Sequence, residues 1–372
     1  MSDRIEHIAI MGAGHGGCAA AADLTRRGFS VRLHARREER LAPLRAIGGV
    51  NVRGIQEGPV PLEVLTSDIA EAVRGAHLIM LVVPSVAHRY YAQALTPLLS
   101  PDIPVFLNPG HTGGGLHFVQ ELRRAGYTGD VQTCETVTLT YICRLNGEDT
   151  VEIYSYTKQL RFAAFPGANG QALFERVRPL YPEIELASNV LETALFNMNA
   201  VFHPPGMLMN AGWIESTGGD FLFYREGLTE SVGRVVSAID AERIAVAGAL
   251  QVPARTFLET FYASGLTTRA AMESGSIARA CWESEPNATI RSPASLDHRY
   301  VHEDVGYGLV PFSALGRLAG VPTPTIDAVV DLLSEAVGID YSDTGLGLED
   351  MGLDGLHPQH IAGFLETGKR PA

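Results

Sequence analysis

Two segments of the chain put polar side chains where apolar ones are expected. In "NAVFHPPGMLMNAG", His203 stands at the end of an apolar run and is followed at once by Pro204 and Pro205. In "LDHRYVHEDVGYGLVP", the residues His298, Arg299, His302, Glu303 and Asp304 crowd together. These are the side chains that dehydrogenation of a C–N or C–O bond asks for beside a hydride carrier. A histidine moves a proton near neutral pH. A carboxylate fixes the imidazole tautomer and stabilises the imidazolium. An arginine holds a substrate carboxylate, best in bidentate fashion. His203, Asp304 and Arg299 fill the three roles. Other readings stand beside this one. A histidine ending a helix also serves as a C-cap donor to the last carbonyls. The "HRYVHED" run also suits a solvated helix face, or a metal pair in which His298 and His302 stand at i and i+4. Hydride transfer needs no metal, and none is expected.

Such groups act only where helices hold them. From Val190, apolar residues recur at helical spacing: Leu191, Ala194, Leu195, Met198, Val201 and Phe202. The spacing predicts a long buried helix that halts at Pro204–Pro205, because proline lacks the amide donor and clashes with the preceding turn. A further helix is predicted from about Phe223 to Leu250, with Leu228, Val232, Val235, Val236, Ile239 and Ile244 on one side. "VPTPTIDAVVDLLSEAVG" carries prolines at a helix start, and a last helix covers Gln359 to Thr367. Residues 188–372 therefore read as an all-α domain.

Residues 1–187 read differently. "HIAIMGAGHGGCAAAADLTRRGFSVRLHARREER" holds a short apolar strand, Ile8 to Met11, and then GxGxxG at Gly12, Gly14 and Gly17. A helix from Gly17 to about Arg27 follows, capped by Gly28, and then a second strand, "SVRLHA". In that βαβ context the glycines form a dinucleotide fingerprint. Gly12 permits the tight turn, Gly14 admits a pyrophosphate, and Gly17 lets the helix pack close with its N-terminal dipole facing the phosphates; His15 of the same loop is a further cofactor-binding candidate. An acid about 20 residues on would bind a ribose 2′-hydroxyl. Here the strand ends in His34, Ala35, Arg36 and Arg37. Paired arginines clamp a 2′-phosphate, so NADP(H) is favoured over NAD(H). "ARREER" is alternatively the solvated first turn of the next helix.

Strands are expected in "AHLIMLVVPS", "IPVFLNPG", "DVQTCETVTLTYICR" and "TVEIYSYTKQLRFAAFPG". The first two are continuous apolar runs, as in a parallel sheet covered on both faces. Ligands of such sheets lie beyond the carboxyl ends of the strands. Val83, Pro84, Asn108 and Gly110 are therefore candidates for the nicotinamide end of the cofactor. The glycines of "PGHTGGG" are equally explained as turn residues. The expected architecture is an α/β Rossmann-type domain, doubly wound with a mostly parallel sheet, followed by the helical domain, with a cleft between them.

The 372 residues carry a net charge of −13, 46% hydrophobic and 19% charged residues. An acidic chain is a poor partner for nucleic acid or an anionic membrane. No export signal and no apolar run of bilayer length is seen. Cys18, Cys134, Cys143 and Cys281 are scattered, with no metal spacing, which suits reduced thiols in the cytoplasm.

Six stretches together resemble the octopine/nopaline (opine) dehydrogenase family, within the 6-phosphogluconate-dehydrogenase-like superfamily. They are "GAGHGG", "LVVPSVAH", "LNPGHTGG", "ETVTLTYICR", "NAVFHPPGMLMNAG" and "RYVHEDVGYGLVPFSALGRLAGVPTP". The last is the most specific, and the resemblance covers nearly the whole chain. It implies a two-domain reductase that joins an α-keto acid such as pyruvate to the amino group of an L-amino acid, and reduces the imine to an N-(carboxyalkyl)amino acid. The family's histidine–aspartate dyad is then carried by His203 and Asp304, and its keto-acid-binding arginine by Arg299. Many members use NADH and have an acid after the second strand, and "HARREER" departs from that pattern. Candidates near the amino-acid side chain are Glu135, Cys143 and Met207. Two assemblies stay open, a homodimer through the helical domain and a single chain acting alone, as in some relatives. The alternatives are a ketopantoate-type reductase of C=O, and a catalytically silent NADP(H)-binding sensor.

Overall fold

The computed structural model describes residues 4–371. The chain divides into two compact units. One holds the residues up to Thr193 together with those from Ala362 onward, and the other holds Ala194–Ile361. The boundary expected from sequence was at 187/188, with every later residue in the second domain.

The first unit is built on an eight-stranded sheet. Its strands are β1 (His7–Met11), β2 (Ser30–His34), β5 (Val64–Thr66), β6 (Leu78–Leu81), β7 (Val105–Leu107), β8 (Thr133–Thr136), β11 (Leu160–Phe165) and β12 (Ile184–Leu186). Their order is β12-β11-β8-β7-β6-β1-β2-β5. Every neighbouring pair is parallel except β11 with β8. Leu78–Leu81 is buried throughout, as its uninterrupted apolar sequence requires. Chain order reverses about β1, which has β2 on one side and β6 on the other. In open sheets of this kind, ligands bind beyond the carboxyl ends of the strands at such a switch point.

A second sheet, β4-β3-β10-β9, was not foreseen. It consists of β3 (Gly49–Gly54), β4 (Gly58–Pro61), β9 (Tyr141–Leu145) and β10 (Thr150–Tyr156). Two of the segments in which strands were expected each divide between the sheets. "DVQTCETVTLTYICR" gives β8 to one and β9 to the other, and "TVEIYSYTKQLRFAAFPG" gives β10 and β11. The small sheet is tied to helix His15–Arg26 by Asp23. This buried carboxylate accepts from Tyr141 at 2.9 Å, Tyr156 at 2.7 Å and Gln56 at 2.8 Å.

The second unit is helical, and two expectations are corrected there. The helix beginning at Val190 does not halt at the prolines. It ends at Leu195, and a new helix, Met198–Met209, starts after Asn197, whose side chain caps it by accepting from the Asn199 amide. Pro204 and Pro205 lie inside that helix. Their fixed φ suits a helix, and what they remove is two amide donors. The helix predicted from Phe223 begins instead at Glu230 and runs to Ala249. Residues Phe223–Gly227 form a π-turn. A second π-turn, Val305–Leu309, directly follows helix Arg299–Asp304. Helices Val310–Ala319 and Pro324–Val337 follow, and the last helix, Pro358–Thr367, divides between the two units at Ile361/Ala362.

Candidate active site

Each of the three motif glycines has its own structural reason. Gly12 has φ +110°, and a Cβ on it would stand 2.4 Å from the Val82 carbonyl oxygen. A Cβ on Gly17 would stand 1.7 Å from the Gly12 oxygen, so helix His15–Arg26 can approach the turn only with glycine there. Gly14, the residue before the helix, has nothing within 4 Å of its Cβ position. Its neighbourhood is open, and the helix N-terminus behind it favours a phosphate. The turn is braced from outside. Arg40 Nε donates to the Ala13 oxygen at 2.7 Å, and the Leu145 amide donates to His15 Nδ1 at 2.6 Å. Val83 packs on Gly12, with Pro84 next in the loop.

Beyond β2, Arg36 and Arg37 are exposed. The Arg36 guanidinium lies 5.2 Å from the Tyr90 ring centre. The first carboxylate after them, Glu38, pairs with Arg45 and accepts from Ser67 at 3.1 Å. Asn108, at the end of β7, turns its side chain inward. Its Nδ2 donates to Thr140 at 2.9 Å, and its Oδ1 accepts from the Thr140 amide at 3.1 Å.

Gly110 and Glu135 meet, since a Cβ on Gly110 would stand 2.4 Å from Glu135 Oε2. That carboxyl is fully buried, accepts from the Gly115 amide at 2.7 Å and from the Thr193 hydroxyl, and is pushed up to about 7 by burial. Glu135 thus anchors the glycine turn before helix Gly114–Arg124. The other two residues expected near the amino-acid substrate are Cys143 and Met207. Cys143 is half-buried on β9 of the small sheet, its thiol raised to about 12 by burial. Met207 has no exposed surface and packs in the helical core.

In the helical unit, His203 and Asp304 come together across 101 residues of sequence, with Nδ1 to Oδ2 at 2.8 Å. His203 is 4% exposed and Asp304 0%. Helix Met198–Met209 presents the imidazole, and the last residue of helix Arg299–Asp304 presents the carboxylate. The second π-turn begins at the next residue. A Cβ on Gly308 would stand 2.6 Å from the Ala200 Cβ, so this glycine lets the π-turn lie against the helix that carries His203. Arg299 begins the Asp304 helix, with Nε 3.5 Å from Glu303. Its side chain is 51% exposed. Burial opposes its charge, but the carboxylates of Glu303 and Asp304 outweigh that and raise its pKa. The remaining histidines of the run have other duties. His298 caps the helix by accepting from the Tyr300 amide at 3.2 Å, and His302 bonds Tyr341 at 2.6 Å and Asp297 at 2.8 Å.

Sequence reasoning missed two residues. Tyr300 stacks on His203 with ring centres 3.6 Å apart and planes 15° apart. The Tyr224 hydroxyl lies 2.8 Å from His203 Nε2. Tyr300 stood in plain view between Arg299 and Asp304. Tyr224 was hidden in a segment read as ordinary helix, and no periodicity marks it.

A glycine turn that opens a helix at the switch point of a parallel sheet is where dinucleotides bind, so the first unit is of the dinucleotide-binding class. Residues 7–122 match the N-terminal domain model of NAD-dependent glycerol-3-phosphate dehydrogenase. Residues 186–337 match the α-helical domain model of NAD/NADP octopine/nopaline dehydrogenase. An opine dehydrogenase of Arthrobacter sp. (strain 1C) is 37% identical over 367 residues, covering 96% of this chain and 98% of that protein. Octopine dehydrogenase solved with NADH and agmatine shares the fold, with a TM-score of 0.77 at 20% identity, covering 98% of this chain and 99% of that one. Yersinopine dehydrogenase bound to NADP+ does so with a TM-score of 0.72 at 17% identity and the same coverage of 98% and 99%. The chain belongs to the opine dehydrogenase family, oxidoreductases that act on CH–NH bonds. No helix among the described residues is long and apolar enough to cross a membrane.

Proposed function

We propose that the protein condenses an α-keto acid with the amino group of an L-amino acid and reduces the resulting imine, with NADP(H) as the preferred carrier and His203 as the proton-transfer group. The observation that carries this reading is the buried His203–Asp304 pair at 2.8 Å. Asp304 accepts the Nδ1 proton, which leaves Nε2 as the basic nitrogen. The incoming ammonium must lose a proton before its nitrogen can attack the keto carbon. His203 takes that proton, and returns one as the carbinolamine loses water. Arg299, charged and half exposed, binds the keto-acid carboxylate. A dinucleotide held at Gly12, Gly14 and Gly17 supplies hydride when bound. Exposed Arg36 and Arg37 receive its 2′-phosphate, while Glu38 is held by Arg45 and Ser67.

Relatives of the same fold support this substrate class, with octopine dehydrogenase solved with NADH and pyruvate, and with NADH and L-arginine. The four free thiols fit a reducing compartment, the cytoplasm. The decisive assay follows oxidation of NADPH and NADH side by side. Pyruvate alone is compared with pyruvate plus a panel of L-amino acids, and turnover without an amine would reject the reading. In the same assay, His203→Ala lowers kcat by about 10²- to 10⁴-fold and leaves NADPH affinity unchanged.

A further inference from the structure

The basic nitrogen of the pair is already engaged. With Nδ1–H donated to Asp304, His203 Nε2 accepts the Tyr224 O–H at 2.8 Å. The Tyr224 oxygen lies 3.3 Å from the Tyr300 hydroxyl. Tyr300 and Phe202 stack on the imidazole, at 3.6 Å and 4.3 Å between ring centres.

We propose that Tyr224 is the relay between the substrate nitrogen and His203, an inference that rests on the proton-transfer reading of His203. The ammonium gives a proton to the Tyr224 oxygen while the phenolic proton passes to Nε2. One N–H and one O–H bond break, and one O–H and one N–H bond form. The nitrogen lone pair is released for attack, the phenol ends neutral, and the positive charge moves onto an imidazolium held by Asp304. The reverse transfer protonates the departing hydroxyl of the carbinolamine.

The backbone around Tyr224 is built to hold that oxygen still. It sits on the π-turn Phe223–Gly227, a widened turn of the kind that recurs at functional sites. Asn210 clamps the turn to the His203 helix, donating to the Gly206 oxygen at 2.8 Å and the Gly227 oxygen at 3.0 Å. A Cβ on Gly206 would stand 2.7 Å from Phe223 Cζ, so glycine there lets the turn lie close.

The test compares Tyr224→Phe, His203→Ala and the double variant in the complete enzyme, with pyruvate, an accepted amino acid and NADPH. The relay predicts that Tyr224→Phe loses about 10²-fold in kcat with NADPH affinity unchanged and a melting temperature lowered by only a few degrees, since a buried hydrogen bond to His203 is lost. The double variant is then no slower than His203→Ala, because the two groups act as one unit. The proton inventory of kcat in H2O/D2O mixtures is curved for the native enzyme and less so for Tyr224→Phe. Should Tyr224→Phe not fold, 3-fluorotyrosine at position 224 replaces it, and a shifted pH profile of kcat is the expected result. If His203→Ala is inactive while Tyr224→Phe stays within about threefold of native kcat, or the fluorinated enzyme keeps the native profile, the relay is overturned and the dyad stands. Near-normal turnover of His203→Ala overturns both.

Discussion

The phosphate loop and the histidine–aspartate pair are made in opposite ways. Gly12, Gly14 and Gly17 lie within one turn of chain, and their work is to have no side chain. His203 and Asp304 are 101 residues apart, and their work is done by side chains that the fold must bring together. A site written locally is stable wherever its turn forms. A site assembled from distant helices depends on the packing of everything between them. The first therefore fails through backbone collisions, and the second through chemistry.

The sharpest contrast is a change that spares packing altogether. Asp304→Asn keeps the shape of the pair but favours the wrong imidazole tautomer, and kcat should fall by about 10³- to 10⁴-fold. Dinucleotide affinity, measured by fluorescence titration, should not change. A fall in both would mean that the two sites are not separable.

Next comes a pair of variants within the phosphate loop. Gly17→Ala places a methyl 1.7 Å from a backbone oxygen, while Gly14→Ala meets nothing within 4 Å. The first should cost about 4 kcal/mol or more in urea denaturation. The second should keep native stability and lose only NADPH affinity. Equal stability of the two would refute the division of labour among these glycines.

Glu135 gives a pH signature to the first unit. Its carboxyl, pushed up to about 7 from 4.5 by burial, holds its proton in the folded state where the unfolded chain has already released it. Its contribution is complete below about pH 4.5 and is lost as pH rises through about 7, roughly 3 kcal/mol in all. Glu135→Gln should flatten that slope when unfolding free energies at pH 5 and pH 8 are compared. An unchanged slope would assign the titration to another group.

The smallest effect belongs to Arg36→Ala with Arg37→Ala. The ratio of kcat/KM for NADPH over NADH should fall by about 10- to 100-fold, while the NADH value stays near native. An unchanged ratio would return "ARREER" to a plain helix start.

The sequence was readable where one face or one turn decides the structure. Leu78–Leu81 and the glycine loop needed no partner to be recognised. The small sheet was not legible, because glycine and proline break up β3 and β4 and the only buried apolar side chains between Gly49 and Gly54 and between Gly58 and Pro61 are Val50, Val52 and Val60. Nor does composition show that one run of β-formers will leave one sheet and join another, as β8 and β9 do. The prolines misled for a different reason. Proline forbids two donors but not the helical φ, so a buried helix can pass through Pro204 and Pro205. His203 and Asp304 were found as types, and their meeting came from the resemblance. Tyr224 has no such signal, since a phenol in an apolar segment is ordinarily core.

The π-turn at Val305–Leu309 constrains how this chain can change over evolutionary time. A π-turn amounts to an α-helix with one residue inserted. The wide turn takes up the extra residue, so helix Val310–Ala319 keeps the facing it would have after regular winding one residue shorter. Phe312, Ala314 and Leu315, all fully buried, stay on the core side. A one-residue deletion inside helix Val310–Ala319 would instead turn every later side chain by about 100°. Changes of length in this part of the chain are tolerated at the widened turn and forbidden just beyond it.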